Sequence, residues 1–534
     1  MDGLTGIGNT CRMKSLSLNR LRSIAYTCVM LTAVLALPID SAARSAAKAP
    51  ANKINASLPL AAQIDEQINQ PRFATASWGI AVVSLDTGRT LYTHQADQLF
   101  QLASTAKLFT AALTLSELSA DSRVSTRLLA GDGLHNGQLQ GPLILYGMGD
   151  PTLGADTATL NWADQLATQL AERGVRLVHG DLIADDTFFA SPPMGSGWEA
   201  IDLQSWFAVP TSALSVQDNQ VDVTVSPGRA EGESAVLAFD PPDALPTVIN
   251  QLTTSAPHSR NDINLYRAPG ADTLNAFGNI AVRTPAQGFK LAVPDPALLA
   301  GMQLLQALAR HGIHVDGKVQ TRHWPQSSAS LREGTSTVAE VQSPTVGQIL
   351  QLGLKHSQNL YMQNLLLLAG TKAQADAMQD PAPPTGFVTT EAWGIRALRQ
   401  LLDRIGIPAS ASMIEEGTGL SRRNLATPNA MTRLLGFLAS QPYAATLHDM
   451  LPIAGIDGTL QWRLRNTPAS NNVHAKTGSM SQVHALAGYV TSAAGEHLAF
   501  AIMLNNYEPP AGAPSASRDL DVIAVLLANL RTHN

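Results

Sequence analysis

The sequence contains little charge and only two cysteines among its 534 residues. Charged residues make up 15 % of the chain, against an average of about 25 %. Such low charge excludes a disordered chain and a coiled coil, since both need many more charges. The 36 basic and 42 acidic residues give a net charge of −6, so no basic footprint for nucleic acid exists and no nucleic-acid partner is expected. The chain is globular, and its length favours more than one domain.

Both cysteines lie near the N-terminus, in a segment with the features of an export signal. Basic residues precede an apolar run over residues 24–37, namely Arg12, Lys14, Arg20 and Arg22. Ser41 and Ala43 then offer the small-x-small pattern of a signal peptidase site. The apolar run is too short for a membrane span, which needs about 20 residues. We therefore predict a signal peptide over 1–43, an exported, periplasmic protein and at most peripheral membrane contact; the alternative is a retained anchor helix.

Removal of that segment would take away Cys11 and Cys28 and leave no cysteine. A disulfide, a thiolate nucleophile and a cysteine-based zinc site are then excluded. His311, His314 and Asp316 could suggest metal ligands, but their surroundings favour a helix end, a turn and a strand. The H-E-x-x-H pattern and the glycine patterns of nucleotide-binding loops are absent from suitable contexts. We therefore predict no metal and no cofactor.

Apolar patterning indicates an α/β domain that is split by a long insert. After a linker at 44–58, a β-rich run at 78–85 leads through a turn into a partner strand at 89–92, and a helix follows from about Ser104. Residues 131–330 contain short strands, turns and many Gly, Pro and Asp, which predicts β-rich inserted material in two small domains. Helical and then strand-like patterns follow: helices at 346–356, 359–370, 391–406 and 429–440, strands at 484–492 and 498–506, and a helix from about Arg518 to Leu530.

Ser104-Thr105-Ala106-Lys107 is an S-x-x-K motif at the start of a predicted helix. At positions i and i+3 the hydroxyl and the amine share one helix face. A lysine whose pKa is lowered by burial or by a second cation can be the base that activates a serine. The helix N-terminus would favour a developing oxyanion. The alternative is an ordinary serine N-cap, and the linker contains a second copy of the motif at Ser45–Lys48.

Two further motifs strengthen this interpretation. Among four S-x-N sequences, only Ser357-Gln358-Asn359 lies between two apolar helical runs, although it could also be a simple helix-to-helix turn. Lys476-Thr477-Gly478 is unique in the chain and precedes a strand-like run, and Ser479 follows it. A strand edge with a lysine, hydroxyls and a glycine without a side chain can dock an extended substrate and bind its carboxylate; the alternative is a hairpin turn with a solvated lysine.

The ordered trio resembles the signature of penicillin-binding proteins and serine β-lactamases. The long separation of Ser104 from Ser357 is similar to that in the class C low-molecular-mass penicillin-binding proteins, the D-alanyl-D-alanine carboxypeptidase/endopeptidase family (penicillin-binding protein 4-like). Further similar stretches are YGMGDPTLG (146–154), ADDTFF (184–189), GTGLSRRNLATP (417–428) and AGIDGTLQWR (454–463).

The resemblance implies a serine β-lactamase/transpeptidase-like domain, an antiparallel sheet with helices, interrupted by two β-rich inserted domains. The implied boundaries are a catalytic domain over 59–130 and 331–534, an inserted domain II over 131–218 and 291–330, and a nested domain III over 219–290.

The resemblance also implies roles for individual residues. Ser104 would be the acylated nucleophile and Lys107 its base, while Ser357 relays a proton to the leaving amine and Asn359 orients both the pair and the acyl amide. Lys476 would supply positive charge. The substrate carboxylate and oxyanion would be placed by Thr477, Gly478 and Ser479, with the backbone N–H groups of Ser104 and Ser479 as the oxyanion hole.

A pocket for the free end of the stem-peptide diamino acid is implied as well. Asp202 would bind the amine, and Phe207, Arg422 and Met480 would form its walls. The chain departs from the family pattern at a few positions, namely Ser479 for Thr, Glu416 and Thr418 for Asp and Ser, and Gln363 for Glu.

The sequence thus predicts a serine D-Ala-D-Ala carboxypeptidase and DD-endopeptidase that acts on peptidoglycan stem peptides through an acyl-enzyme. β-Lactam antibiotics would be covalent inhibitors. Two alternatives stay open. A β-lactamase would need a dedicated base for the deacylating water, and a non-catalytic wall-binding scaffold would not need the intact motifs.

Overall fold

The structure is a computed structural model that describes residues 58–131, 133–155 and 159–533. The predicted signal peptide, and the predicted linker apart from its last residue, lie outside the described residues. Within the described ranges, no helix is both long enough and apolar enough to cross a membrane.

Three consecutive segments build the fold. The N-terminal segment contains α1 (Leu60–Ile68), β1 (Ser77–Ser84), β2 (Thr90–His94), β3 (Phe100–Gln101) and α2 (Lys107–Glu117). The insert contains β4 (Arg123–Gly131), β5 (Leu134–His135), β6 (Gln138–Gln140), β7 (Leu143–Gly147), α3 (Trp162–Glu172), β8 (Leu177–His179), β9 (Leu182–Asp185), β10 (Gln220–Ser226), β11 (Val236–Asp240), β12 (Thr247–Ser255), β13 (Asp262–Tyr266), β14 (Thr273–Ala281), β15 (Gln287–Ala292), α4 (Pro296–Arg310), β16 (His314–Val315), β17 (Val319–Arg322), α5 (Ala329–Arg332) and β18 (Thr335–Thr345). The C-terminal segment contains α6 (Val346–Lys355), α7 (Asn359–Ala377), α8 (Thr390–Arg404), β19 (Ser412–Met413), β20 (Leu425–Ala426), α9 (Pro428–Ala439), α10 (Ala444–Met450), β21 (His474–Met480), β22 (Val483–Thr491), β23 (His497–Asn505) and α11 (Ala516–Ala528).

The N- and C-terminal segments share one antiparallel sheet with the strand order β2-β1-β23-β22-β21. Both faces of this sheet are covered, which is why β22 and β23 are apolar almost throughout and show little alternation. In β23, Phe500 and Ile502 pack on the face shared with α1 and α11. Ala501 and Met503 pack on the opposite face, with α2, α7 and α9. Strand β21 lies at the open edge, and the predicted strands, turn and helices of these two segments are confirmed.

The described residues of the insert form four sheets. A five-stranded sheet, β17-β9-β7-β4-β18, lies beside a four-stranded one, β16-β8-β6-β5, and two three-stranded sheets have the orders β11-β10-β15 and β12-β14-β13. The insert also contains α3, which we did not predict, and α4, of which we predicted only the end beside His311. Their apolar faces pack into the core of the insert, and the Asp295 side chain caps α4 by accepting from the Leu298 N–H at 2.9 Å.

Strand pairing bears on the predicted domain boundaries. The predicted boundaries at residues 130 and 331 assign nearly all of β4 and the whole of β18 to the catalytic domain. The two strands pair with each other, however, and belong to the same sheet as β7, β9 and β17 of the insert. This pairing favours an insert that extends from Arg123 to Thr345. Strands β10 to β15 fall within 220–292, close to the predicted nested segment at 219–290. The division into three domains stays a prediction.

Candidate active site

Ser104 lies in a tight turn between β3 and α2. The turn is a 3₁₀ helix over Ala103–Ala106 that runs directly into α2, so Ser104 and Lys107 share one face as predicted. Ala103 has a φ of +44°, a conformation that is uncommon for a residue with a side chain. The Thr105 side chain steadies the turn by donating to the Leu102 carbonyl oxygen at 2.6 Å. The serine is therefore presented half-exposed on an otherwise buried turn.

Lys107 is fully buried and touches three oxygen atoms. Its Nζ lies 2.9 Å from Ser104 Oγ, 2.5 Å from Asn359 Oδ1 and 2.6 Å from the Thr418 carbonyl oxygen. Burial lowers the pKa of Lys107 to about 7, although the Glu416 carboxylate acts in the opposite direction. A neutral amine has two N–H bonds and one lone pair. The amide and carbonyl oxygens can only accept, so they take the two N–H bonds and leave the lone pair for the Ser104 hydroxyl.

The orientation of the Asn359 amide is fixed from its other side. Asn359 Nδ2 donates to the Phe207 carbonyl oxygen at 2.7 Å, which leaves Oδ1 to face Lys107. Phe207 thus contributes its backbone carbonyl oxygen to the site. Its ring packs edge-on against Trp206, with the ring centroids 5.8 Å apart. The insert therefore contributes directly to the orientation of the base.

Ser357 lies in the turn between α6 and α7, as predicted. It has a φ of +57°, and its Oγ accepts from Lys476 Nζ at 2.8 Å. Lys476 is fully buried and also donates to the Thr477 carbonyl oxygen at 3.0 Å. Burial lowers the pKa of Lys476, and the nearby Lys107 lowers it further. The alternative of a solvated lysine in a hairpin turn is wrong.

Two glycines let the surrounding backbone approach the nucleophile turn. A Cβ on Gly478 would stand 2.6 Å from the Leu102 carbonyl oxygen, so β21 packs against this turn only because residue 478 has no side chain. Gly419 has a φ of +89°, and a Cβ there would collide with the Ala103 carbonyl group. The three motifs, remote along the chain, therefore meet in one cleft.

The comparisons with known proteins agree with this geometry. The family model described as "D-Ala-D-Ala carboxypeptidase 3 (S13) family" matches residues 60–529. The D-alanyl-D-alanine carboxypeptidase of Actinomadura sp. (strain R39) is 33 % identical over 88 % of this chain and 84 % of its own length. This chain belongs to the S13 carboxypeptidase family. It is a serine-type hydrolase, as we predicted.

Solved structures show the same fold. The crystal structure of penicillin binding protein 4 (dacB) from Haemophilus influenzae is 25 % identical, with a TM-score of 0.74 over 88 % of this chain and 99 % of that one. The same protein complexed with a β-lactam is 24 % identical, with a TM-score of 0.67 over 87 % and 97 % of the two chains. The predicted fold class and the resemblance to penicillin-binding protein 4 are confirmed.

Four of the predicted substrate-binding residues of this S13 family member lie along β21, namely Thr477, Gly478, Ser479 and Met480. Thr477 is half-buried, and its hydroxyl donates to Thr459 Oγ1 at 2.8 Å. Ser479 is exposed and pairs in register with His484, and Met480 is the half-exposed last residue of the strand. The hydroxyl of Ser479 is therefore open to a ligand, and its predicted role in an oxyanion hole stays a prediction.

Arg422 and Asp202 lie near one another at the end of the cleft. Arg422 Nε is 2.8 Å from Glu199 Oε1, and Nη1 reaches Gln101 Oε1 and the Ser481 carbonyl oxygen, each at 3.3 Å. Burial and the neighbouring Glu199 raise the pKa of Asp202, whereas Arg422 lowers it. Glu199, an acid that we did not predict, thus lies with Arg422 and Asp202, and the pocket for the diamino acid stays a prediction.

We also did not predict that the Thr418 carbonyl oxygen accepts a hydrogen bond from Lys107 Nζ. The Thr418 carbonyl oxygen is positioned by Glu416, whose buried carboxylate accepts from the N–H groups of Thr418 at 2.8 Å and Gly419 at 2.6 Å and from Asn424 Nδ2 at 2.6 Å. Gln363, also a departure from the family pattern, accepts from the Gly417 N–H at 2.7 Å. No residue type marks a backbone carbonyl oxygen as an acceptor, so the sequence offered no direct signal for the contact between Thr418 and Lys107.

The histidine groups do not form a metal centre. His311 lies 3.2 Å from Asp164, and His314 lies 3.3 Å from Asp316 on the insert. In the part of the chain that the structure describes, the group with suitable spacing is His448, Asp449 and His474. The two imidazole rings of that group are stacked with centroids 3.6 Å apart and planes 25° apart. Their in-plane lone pairs cannot meet at one ion in this arrangement.

Proposed function

We propose that this protein is a serine D-Ala-D-Ala carboxypeptidase and DD-endopeptidase that cleaves peptidoglycan stem peptides through an acyl-enzyme. The single observation that carries the proposal is the environment of Lys107. Its Nζ contacts Asn359 Oδ1, the Thr418 carbonyl oxygen and Ser104 Oγ, so in the neutral amine the two N–H bonds go to the first two and the lone pair is left for Ser104. Membership of the S13 family and the name of the Actinomadura relative support the carboxypeptidase activity.

In the acylation step, Lys107 takes the proton of the Ser104 hydroxyl while Oγ attacks the carbonyl carbon of the penultimate D-Ala. The resulting oxyanion is stabilised by backbone N–H groups at Ser104 and Ser479. The proton that Lys107 accepted is then relayed through the Ser357 hydroxyl to the leaving amine, the C–N bond breaks, and Lys107 is neutral again. A water molecule next attacks the ester, and Ser104 regains its proton as the shortened peptide leaves.

The exposed part of β21 supplies the carboxylate site. Ser479 and Thr477 carry hydroxyls at the strand edge, and the Lys476 amine lies between the strand and Ser357. A C-terminal carboxylate in this place would be bound by the exposed hydroxyl of Ser479 and by the positive charge of Lys476 when its amine is protonated, while the Thr477 hydroxyl stays bonded to Thr459. At the other end of the cleft, Asp202 and Glu199 outnumber Arg422 by one charge, which favours a cationic amine on the substrate.

The decisive experiment is labelling with a fluorescent penicillin, with and without Ser104→Ala. We expect stoichiometric labelling of the parent protein and none of the variant, together with release of D-Ala from a pentapeptide by the parent protein only. Labelling that survives the substitution would refute the assignment of Ser104. Protein that forms no adduct and releases no D-Ala would support the scaffold instead.

Two further outcomes separate the finer activities. Crosslinked muropeptides should be cleaved at the D-Ala–diamino-acid bond if the endopeptidase activity is present. Nitrocefin should give a burst of one equivalent followed by slow turnover. Sustained rapid turnover of nitrocefin would favour a β-lactamase.

We also propose that the protein is exported to the periplasm, where its substrate lies. The basic and apolar segment that ends near Ala43 supports this proposal. Fractionation of cells that express the full chain, with N-terminal sequencing of the mature protein, tests it. A cytoplasmic protein that retains residues 1–43 would contradict it.

A further inference from the structure

An ion pair joins the end of the helix that precedes the Ser357 turn to a loop that is itself bonded to the strand carrying Lys476. Lys355 Nζ lies 2.5 Å from Asp457 Oδ2, and the Lys355 side chain is only 10 % exposed. Lys355 is the last residue of α6, two residues before Ser357. The pair therefore acts at the start of the S-x-N turn, and the mechanism above makes no use of it.

Asp457 organises the segment on its own side of the pair. Its second oxygen, Oδ1, accepts from the Ile453 N–H at 2.9 Å and closes a turn. Gly458 follows with a φ of +55°, and a Cβ there would stand 2.6 Å from the Lys355 carbonyl oxygen. The segment 452–460, which we name the clamp loop, is thus held against both the side chain and the backbone at the end of α6.

The opposite edge of the clamp loop is bonded to β21 on both sides of Lys476. The Ala475 N–H donates to the Pro452 carbonyl oxygen at 3.0 Å. The Thr477 hydroxyl donates to Thr459 Oγ1 at 2.8 Å. Because residues 475 and 477 are both fixed to the clamp loop, a shift of this loop relative to α6 would move Lys476 relative to Ser357.

We propose that Lys355 and Asp457 are positioning residues that hold Lys476 Nζ at its 2.8 Å contact with Ser357 Oγ. This inference rests on the proposed function of the cleft. The Asp457 side chain is 38 % exposed, and a partly exposed ion pair typically adds little net stability, so stability alone is a weak reason for it. A misplacement of about 1 Å at a reacting group, in contrast, can lower a rate about 100-fold.

The test compares Asp457→Asn with Asp519→Asn. Asp519 pairs with Arg72 at 2.7 Å, is itself 3 % exposed and joins the N-terminal segment to α11, away from the three motifs. For each variant a temperature scan gives the thermal midpoint, and assays at one fixed temperature give the rate of acylation by fluorescent penicillin and the kcat and KM on a D-Ala-D-Ala peptide. We expect Asp457→Asn to slow acylation and kcat by about 10- to 100-fold with KM within about threefold. We expect Asp519→Asn to lower the midpoint and leave both rates unchanged.

Lys355→Met gives a second measurement, because methionine is apolar, similar in length and suited to a buried position. It should slow acylation as Asp457→Asn does, and the double variant should lose no more than Lys355→Met alone, since the two residues act as one unit. Wild-type acylation rates in a folded Asp457→Asn or Lys355→Met variant, or equal losses in Asp519→Asn, would overturn the inference. Parent protein that takes up no penicillin would instead overturn the proposed function of the cleft.

Discussion

The cleft contains two serine–lysine pairs that share one geometry and differ in their surroundings. Lys107 Nζ lies 2.9 Å from Ser104 Oγ, and Lys476 Nζ lies 2.8 Å from Ser357 Oγ. Both lysines are fully buried, and burial is the main cause of the lowered pKa of each. Distance and burial alone would therefore not tell which serine is the nucleophile.

The remaining contacts distinguish the two pairs. Lys107 also faces an amide oxygen and a carbonyl oxygen from two other segments, so its lone pair has one direction left, toward Ser104. Lys476 has only the carbonyl of its own neighbour, Thr477, as a further hydrogen-bond acceptor among the described residues. The first lysine is thus oriented as a base, and the second is free to share a proton with Ser357 and to face the substrate carboxylate.

The largest effect should come from removing the oriented base. Lys107→Met leaves Ser104 in place but takes away the lone pair that receives its proton. We expect acylation by fluorescent penicillin to slow about 10³-fold, within the range of general-base catalysis. Stopped-flow or timed gel labelling measures it. A variant that keeps more than one-tenth of the parent rate would show that another group, such as Lys476, is the base, and the contrast between the pairs would fail.

Ser357→Ala should have the next largest effect. It removes the hydroxyl between Lys476 and the leaving amine but leaves all three Lys107 contacts intact. We expect acylation to slow about 10²-fold, because proton transfer to the leaving group is impaired while attack is not. The loss is measured, relative to the parent protein, both as the rate constant of penicillin acylation and as kcat for a D-Ala-D-Ala peptide. A loss equal to that of Ser104→Ala would mean that the two serines are not distinct in role.

The sequence predicted the side chains that meet in the cleft. The three-residue spacing of Ser104 and Lys107 needs only a helix to bring the two together, and both lie on one as predicted. The positions of Ser357 between two helices and of Lys476 on an edge strand are likewise local features of the chain. Each could be predicted because its neighbours along the chain define its place.

The partners that orient Lys107 could not be predicted in this way. The carbonyl oxygens of Thr418 and Phe207 are present in every residue type, so no pattern marks them as functional. The pairing of β4 with β18 is a contact between chain segments about 200 residues apart, and no local pattern reveals it. Helix α3 is different, because Trp162, Leu166 and Leu170 recur at helical spacing and we overlooked them.

The smallest expected effect, a pH dependence, tests why the two pairs differ. Because the pKa of Lys107 is lowered to about 7, its neutral fraction increases as the pH rises through neutrality. We therefore expect the acylation rate to increase about tenfold from pH 6 to pH 8 and to level off above that, since only the neutral amine accepts the Ser104 proton.

Asn359→Asp would place a carboxylate beside Nζ and raise the pKa of Lys107, moving the midpoint of the rate profile up by about one pH unit or more. Ser357→Ala, which leaves the Lys107 contacts alone, should be slower at every pH with its midpoint unchanged. A flat profile, or a midpoint that Asn359→Asp does not move, would show that Lys107 is not the group whose proton controls attack.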